Sequence, residues 1–191
     1  MASAELELAF GLLAGAIALG YFVFASFAFG AGYQPTPRRA VETMLRFAEV
    51  GPADTVFDLG AGTGAIVFRA VRTYRARAVA VEVEPIRVAI LRIRRRLGPF
   101  ADRIEIRWGN LFRLDFRAAT VVTAFLWPGA MERLRPKFER ELQPGARVVS
   151  HHHPVPGWTA TATDPETHVF LYRWPDAARD AAGGDGPTGG T

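Results

Sequence analysis

The stretch "VFDLGAGTGAIVFRA", Val56 to Ala70, constrains this chain more than any other. An apolar run meets an acid, passes through glycines at 60, 62 and 64, and continues as a helix-like segment. A buried strand that turns through glycines into a helix is the repeating unit of an α/β sheet. Glycine lets the backbone approach a ligand closely, and the amides at a helix start favour an anion. The flanking sequence repeats the alternation. Strands are expected in "DTVFDLG", "RAVAVEVE", "RIEIRWGN", "ATVVTAFL" and "ARVVSHH". Helices are expected over Ala65–Tyr74, "PIRVAILRIRRRLG" and "AMERLRPKFEREL". In the second of these, Ile86, Ile90, Ile93 and Leu97 form an apolar face. A last strand, "HVFLYRW", has "WTATAT" as its candidate partner, and their connection without a helix predicts an antiparallel edge on a mostly parallel sheet. Ahead of the first strand, "TPRRAVETMLRFAEVGP" predicts a helix. Thr36 is its cap, Pro37 its first position, Val41, Met44, Leu45 and Ala48 its buried face, and Gly51 and Pro52 its end.

From Leu8 to Pro37 no residue is charged. The run is apolar or small for longer than the roughly 20 residues that cross a bilayer, and it has no polar face. Glu5 and Glu7 precede it, which does not suit a signal peptide. Arg38, Arg39 and Arg46 follow it, which by the positive-inside rule places the rest of the chain in the cytoplasm. The expectation is a single-pass anchor in a bacterial inner membrane over residues 1–32, a catalytic domain over 33–175, and a disordered tail over 176–191. The absence of cysteine excludes disulfides and thiolate metal sites. Lys137 is the one lysine among 23 basic residues, and a net charge of +4 is too small to argue for nucleic acid.

"GAGTGA" also fits the loose dinucleotide pattern G-x-G-x-x-A. Three features oppose that. Asp58 precedes the first glycine and points into the same crevice, a helix comes before the first strand, and no second domain remains for a hydride acceptor. The ligand inferred is S-adenosylmethionine. Its methionyl carboxylate meets the amides around Gly60, Gly62 and Gly64, and its ammonium meets Asp58 directly or through water. Glu82, at the end of the second strand, accepts from the ribose hydroxyls. Asn110 bonds the adenine edge, with a plain turn residue as the competing role, while Val83 and Leu111 flank the ring.

The motifs "YQPTP", "VFDLGAGTG", "VAVEVEP", "WGNLF", "TVVTAFL" and "KFERELQPGARVVSH", then Gly157–Trp158, carry a resemblance. The sequence resembles the seven-strand protein lysine methyltransferases that include the ADP/ATP-carrier and ATP-synthase c-subunit enzymes and an archaeal broad-specificity relative. The resemblance covers Tyr33 to Trp158. It implies a class I, Rossmann-like methyltransferase fold with a mostly parallel seven-strand sheet, preceded here by one transmembrane helix. It implies that the substrate is a protein lysine and places Tyr33 and Thr36 over the cofactor and the entering lysine. The mitochondrial members also begin with a membrane segment, so a membrane-protein substrate is expected and nucleic acid is not.

"SHHHP" offers no carboxylate or cysteine at ligand spacing, so no metal is expected there. His151 and His153 line the active-site mouth in one reading and are structural in the other. "FLWP" stands where adenine-amine methyltransferases carry an Asn/Asp-Pro-Pro-aromatic loop, which argues against methylation of DNA bases. Phe125 and Trp127 are candidates for an aromatic wall beside the sulfonium, with ordinary packing as the alternative. His151 or Thr123 is the candidate to pass a proton to water. The competing functions are methylation of a membrane lipid or quinone, and a non-catalytic module that binds the cofactor.

Overall fold

The computed structural model describes residues 2–28 and 34–178. Two compact units divide at Gln34/Pro35. The first contains one helix, α1 (Ala2–Ala28). Its described apolar side chains, among them Leu8, Phe10, Leu12 and Ile17, are exposed. Among the described residues no helix is long and apolar enough to cross a membrane, so the expected transmembrane span is not shown. The side chains beyond Tyr21 in α1, and residues 29–33 with Tyr33 among them, lie outside the described residues.

The second unit runs α2 (Arg38–Phe47), β1 (Thr55–Leu59), α3 (Ala65–Tyr74), β2 (Arg77–Glu82), α4 (Pro85–Leu97), β3 (Ile104–Trp108), β4 (Val121–Ala124), α5 (Pro128–Glu141), β5 (Arg147–His151), β6 (Ala162–Asp164) and β7 (Val169–Arg173). The seven strands lie in the order β3-β2-β1-β4-β5-β7-β6. All are parallel except β7, which pairs antiparallel with both β5 and β6. The expected antiparallel hairpin at the edge is present. Strand order reverses between β1 and β4, and a crevice opens beyond the carboxyl ends at such a reversal.

Alternation along β1 feeds two faces of the sheet. Phe57 and Leu59 join Phe116, Met131, Leu134 and Phe138 of the α5 side in one core. Val56 joins Val41, Met44, Leu45 and Ala48 of α2 and Ile66 and Ala70 of α3 in another. The face expected for α2 is therefore the buried one. Its cap differs. Pro37 occupies the N-cap position, Thr36 makes no capping bond, and the helix ends at Ala48 before Glu49 takes a left-handed φ of 49°.

α4 departs further. Val88 and Leu91 are its buried residues, and Leu91 packs with Val67, Val71, Ala78 and Ala80. Ile86, Ile93 and Leu97, expected inside, are 48%, 58% and 81% exposed. Helical period alone allows either apolar stripe of this segment. Glu84 caps the helix, its carboxylate accepting from the Ile86 and Arg87 amides at 2.8 Å each, and the packing of Leu91 against α3 and β2 sets which stripe faces inward. The domain also continues past the expected boundary at 175. Ala177 is buried in the main core, and its carbonyl accepts from the Thr159 amide. Residues 179–191, the rest of the expected tail, lie outside the described residues.

Candidate active site

The carboxyl ends of β1, β2, β4 and β5 bring the candidate residues together. The β1–β4 register sets Asp58 opposite Thr123, and the two side chains meet, with the Thr123 hydroxyl donating to Asp58 Oδ1 at 2.8 Å. Both are buried. Burial pushes the Asp58 carboxyl up to about 7; Thr123 opposes the shift and the nearby Glu82 adds to it. Asp58 is therefore half-ionised near neutral pH and takes its charge fully when a cation arrives.

The glycines adopt left-handed φ values of 76° at Gly60, 56° at Gly62 and 88° at Gly64. Their amides are engaged within the protein. Gly60 and Ala61 both donate to the Val81 carbonyl at 2.9 Å, Gly64 donates to Ala61 at 2.7 Å, and Gly62 donates to Glu82 Oε2 at 2.8 Å. The loop is braced mainly by β2, whose Val81 carbonyl and Glu82 carboxylate take three of these four donors. The donors that a helix start leaves without an i−4 carbonyl are those of its first turn, here Ala65 to Val67.

Glu82 is buried and accepts three amides: Gly62, Val83 at 2.9 Å and Glu84 at 3.0 Å. An ionised carboxylate has about four acceptor positions, so one remains for a ligand hydroxyl. Glu82 thus holds the loop as well as facing the crevice, a structural duty that the sequence did not reveal. Asn110 caps the short turn Leu111–Arg113 by accepting from the Phe112 amide at 3.0 Å, which is the turn role weighed against adenine binding. Its side-chain NH₂ is still available as a donor. Leu111 is half-buried against the main core. Trp108, which the sequence reading passed over, stands opposite Glu82 in register and donates its indole N–H to the Val83 carbonyl at 3.0 Å. An exposed tryptophan at a strand end was the available signal.

On the β4–β5 side, Phe125 packs edge-on to His151 at 4.5 Å and stacks on His152 at 5.6 Å. His152 stacks in turn on His168 at 4.9 Å, and His153 stacks on Trp127 at 5.7 Å. All four histidines of the chain therefore gather at one mouth. His151 is buried; its ring nitrogens make no well-formed hydrogen bond, though the backbone of Thr167 and His168 lies close by. Burial, with the neighbouring His152 and His168, holds its imidazole down to about 4, against a weaker opposite pull from the backbone of Thr167 and His168. It is uncharged at neutral pH. Among the described residues no cluster of three or more metal-ligating side chains occurs. Thr36 and Ala65 are among the residues that line one cleft.

Residues 58–162 match the ANTKMT methyltransferase domain. The chain belongs to that family. It is 43% identical over 129 residues to a protein-lysine N-methyltransferase of Saccharolobus islandicus, covering 66% of this chain and 79% of the relative. It is 31% identical to the adenine nucleotide translocase lysine N-methyltransferase of Mus musculus, covering 68% of this chain and 56% of that enzyme. Its fold superimposes with a TM-score of 0.70 on an RNA methyltransferase of Salinibacter ruber crystallised with S-adenosyl-L-homocysteine, at 40% identity over 74% of this chain and 92% of that one. The chain is thus an S-adenosylmethionine-dependent methyltransferase with the Rossmann-like seven-strand sheet that the sequence predicts.

The residues present fit the cofactor. A buried carboxyl poised near neutrality, Asp58, suits an ammonium, the spare acceptor position of Glu82 suits a ribose hydroxyl, and the first turn of α3 suits a carboxylate. A pH dependence follows for this methyltransferase. An ammonium favours ionised Asp58, so binding releases a proton wherever free Asp58 is still protonated. Affinity for S-adenosylmethionine should rise with pH up to about 7, by at most about tenfold per pH unit, and level off above it. Titration calorimetry in buffers of different ionisation heat should detect the released proton at pH 6.5, and Asp58→Asn should remove both the proton and the slope.

Proposed function

We propose that this methyltransferase transfers a methyl group to the Nζ of a protein lysine, and that its apolar N-terminal segment keeps it at a membrane among membrane-protein substrates. Two relatives are described as lysine methyltransferases. Within the site, the observation that carries the reading is the uncharged wall of Phe125 and His151 at the end of β4 and β5. A lysine amine attacks only when neutral, against an ordinary pKa of about 10.4. When bound, S-adenosylmethionine supplies the electrophilic methyl on a cationic sulfonium. An uncharged, water-poor wall disfavours a second cation and so favours the neutral amine. Phe125 and His151 hold the acceptor in line, which is a positioning effect. The amine reacts in its neutral form, so no dedicated base is required, and the proton that the product ammonium loses passes to water. Tyr33 and Thr36 close over the entering lysine in this reading, and the catalytic unit faces the cytoplasm.

The membrane part rests on the uncharged run from Leu8 to Pro37 and on the exposed apolar side chains of α1. Both parts are tested together. Purified full-length enzyme, and a variant lacking residues 1–30, are incubated with membranes, with soluble protein and with RNA in the presence of methyl-labelled cofactor. The expected result is label on a lysine of a membrane protein, found by mass spectrometry, with a loss of roughly tenfold in rate for the shortened chain at unchanged cofactor affinity. Label on RNA, the acceptor class given for the Salinibacter ruber relative, would reject the lysine assignment. Equal labelling of membranes by both forms would reject the membrane role.

A further inference from the structure

The apolar stripe that α4 turns outward is the least expected surface of the molecule. At about 100° per residue, Ile86, Ile90, Ile93 and Leu97 lie within about 60° of one another. Three of them are 48%, 58% and 81% exposed, and Ile90 is half-buried. The same geometry puts Arg94 along one border of the stripe and Arg92 and Arg96 along the other, while Arg87 is largely buried beside Glu82 and Glu84. α3 and α4 together contain seven arginines and no acidic residue.

The arginine border continues into a recess. Arg38, Arg69, Arg72 and Arg94 also line the cleft of about 530 Å³ that holds Thr36 and Ala65. Arg69 is paired with Glu42 at 2.6 Å, and Arg94 lies over the Phe68 ring at 4.3 Å. Among the described residues Arg38 and Arg72 have no ion pair. A second hollow of about 230 Å³ shares Phe68, Arg72 and Arg94 with the first and adds Leu97 and Phe100. Cationic and aliphatic surface are therefore interleaved over one contiguous face.

We propose that the outward face of α4 and the hollow beside it dock on an anionic phospholipid bilayer, with headgroup phosphates at Arg72, Arg94 and Arg95 of that second hollow and Ile86, Ile93 and Leu97 in the acyl boundary. Two features select lipid over other anions. Exposed aliphatic side chains gain nothing from a nucleic-acid backbone, whereas burial in the interface removes them from water at about 25 cal/mol per Å². Arginines on both borders of an apolar stripe can lay their stems along it and reach the headgroups, the pattern of an interfacial helix. The docking does not depend on residues 1–32 being a span. It would hold the catalytic unit in one orientation on the bilayer, which an N-terminal tether alone does not do.

The chain has no cysteine, so a single probe can be placed cleanly. Full-length Ile93→Cys, labelled with an environment-sensitive fluorophore, is compared on vesicles of phosphatidylcholine and of phosphatidylcholine with phosphatidylglycerol. Leu97→Cys, at the more exposed site, repeats the measurement, and Arg117→Cys is the control. The expected result is about a threefold rise in emission on the anionic vesicles at both α4 sites and none at the control. Combining either probe with R92Q, R94Q, R95Q and R96Q should abolish the rise. Equal emission on the two vesicles, or a rise that survives the four glutamines, overturns the proposal. A larger response to RNA or to a soluble acidic protein than to vesicles overturns the choice of lipid. Methyl transfer to a detergent-solubilised substrate, measured on the same preparations, separates this outcome from failure of the lysine reading.

Discussion

Glu82→Ala is expected to remove measurable S-adenosylmethionine binding and to destabilise the domain by about 2–4 kcal/mol. The carboxylate accepts three backbone amides in a buried position, one of them from the glycine loop and two from the turn into α4. Truncation leaves these donors unsatisfied at about 1–3 kcal/mol each, less what water entering the vacated space recovers. The loop then loses the anchor on Gly62 and the crevice loses its acceptor for a ribose hydroxyl. Glu82→Gln separates the two duties. Its oxygen can still serve one or two amides, but its NH₂ faces a donor, so stability should recover in part while cofactor affinity stays at least tenfold below the parent. Urea denaturation with and without cofactor, alongside calorimetry, reads both quantities. Unchanged affinity in the alanine variant would remove Glu82 from the cofactor site.

Gly64→Ala should cost about 2–4 kcal/mol of stability. Its φ of 88° lies where a side chain is strained. A Cβ there would stand 2.7 Å from Leu91 Cδ2 and 2.7 Å from the Phe68 ring, in the seam where α3 and α4 pack. Phe68 and Leu91 cannot both retreat, because Leu91 is fully buried. Gly60→Ala is the milder comparison, since its nearest neighbour is the flexible end of Leu126 at 3.2 Å. Thermal unfolding of the two variants should place Gly64→Ala lower by several degrees. The reverse order would mean that the seam between α3 and α4 yields more readily than its packing indicates.

The strand–helix alternation, the span of α3, the buried face of α2 and the antiparallel edge were all legible in the sequence. Each depends on a local signal: period, a glycine after a strand, or a connection too short for a helix. The association of Asp58 with Thr123 and of Glu82 with the glycine loop was legible only as a shared crevice, since β-strand register is decided between strands far apart in the chain. The internal partners of the Gly60, Gly62 and Gly64 amides were not legible for a related reason. Spacing shows where glycines permit a turn, but the partners of its donors are set by Val81 and Glu82 on a neighbouring strand.

By itself, then, the sequence determined an α/β methyltransferase fold and a cofactor crevice at the end of β1, because periodicity and backbone freedom act over a few residues. Tertiary structure alone decided which stripe of α4 is buried. That segment has two apolar stripes, and the packing of Leu91 against Val67 and Val71 of α3 and Ala78 and Ala80 of β2 fixes which one faces inward. Tertiary structure also gathered four histidines separated by up to 17 positions around Phe125, where burial keeps His151 neutral. Desolvation depends on what packs around a side chain, and no spacing along the chain records it.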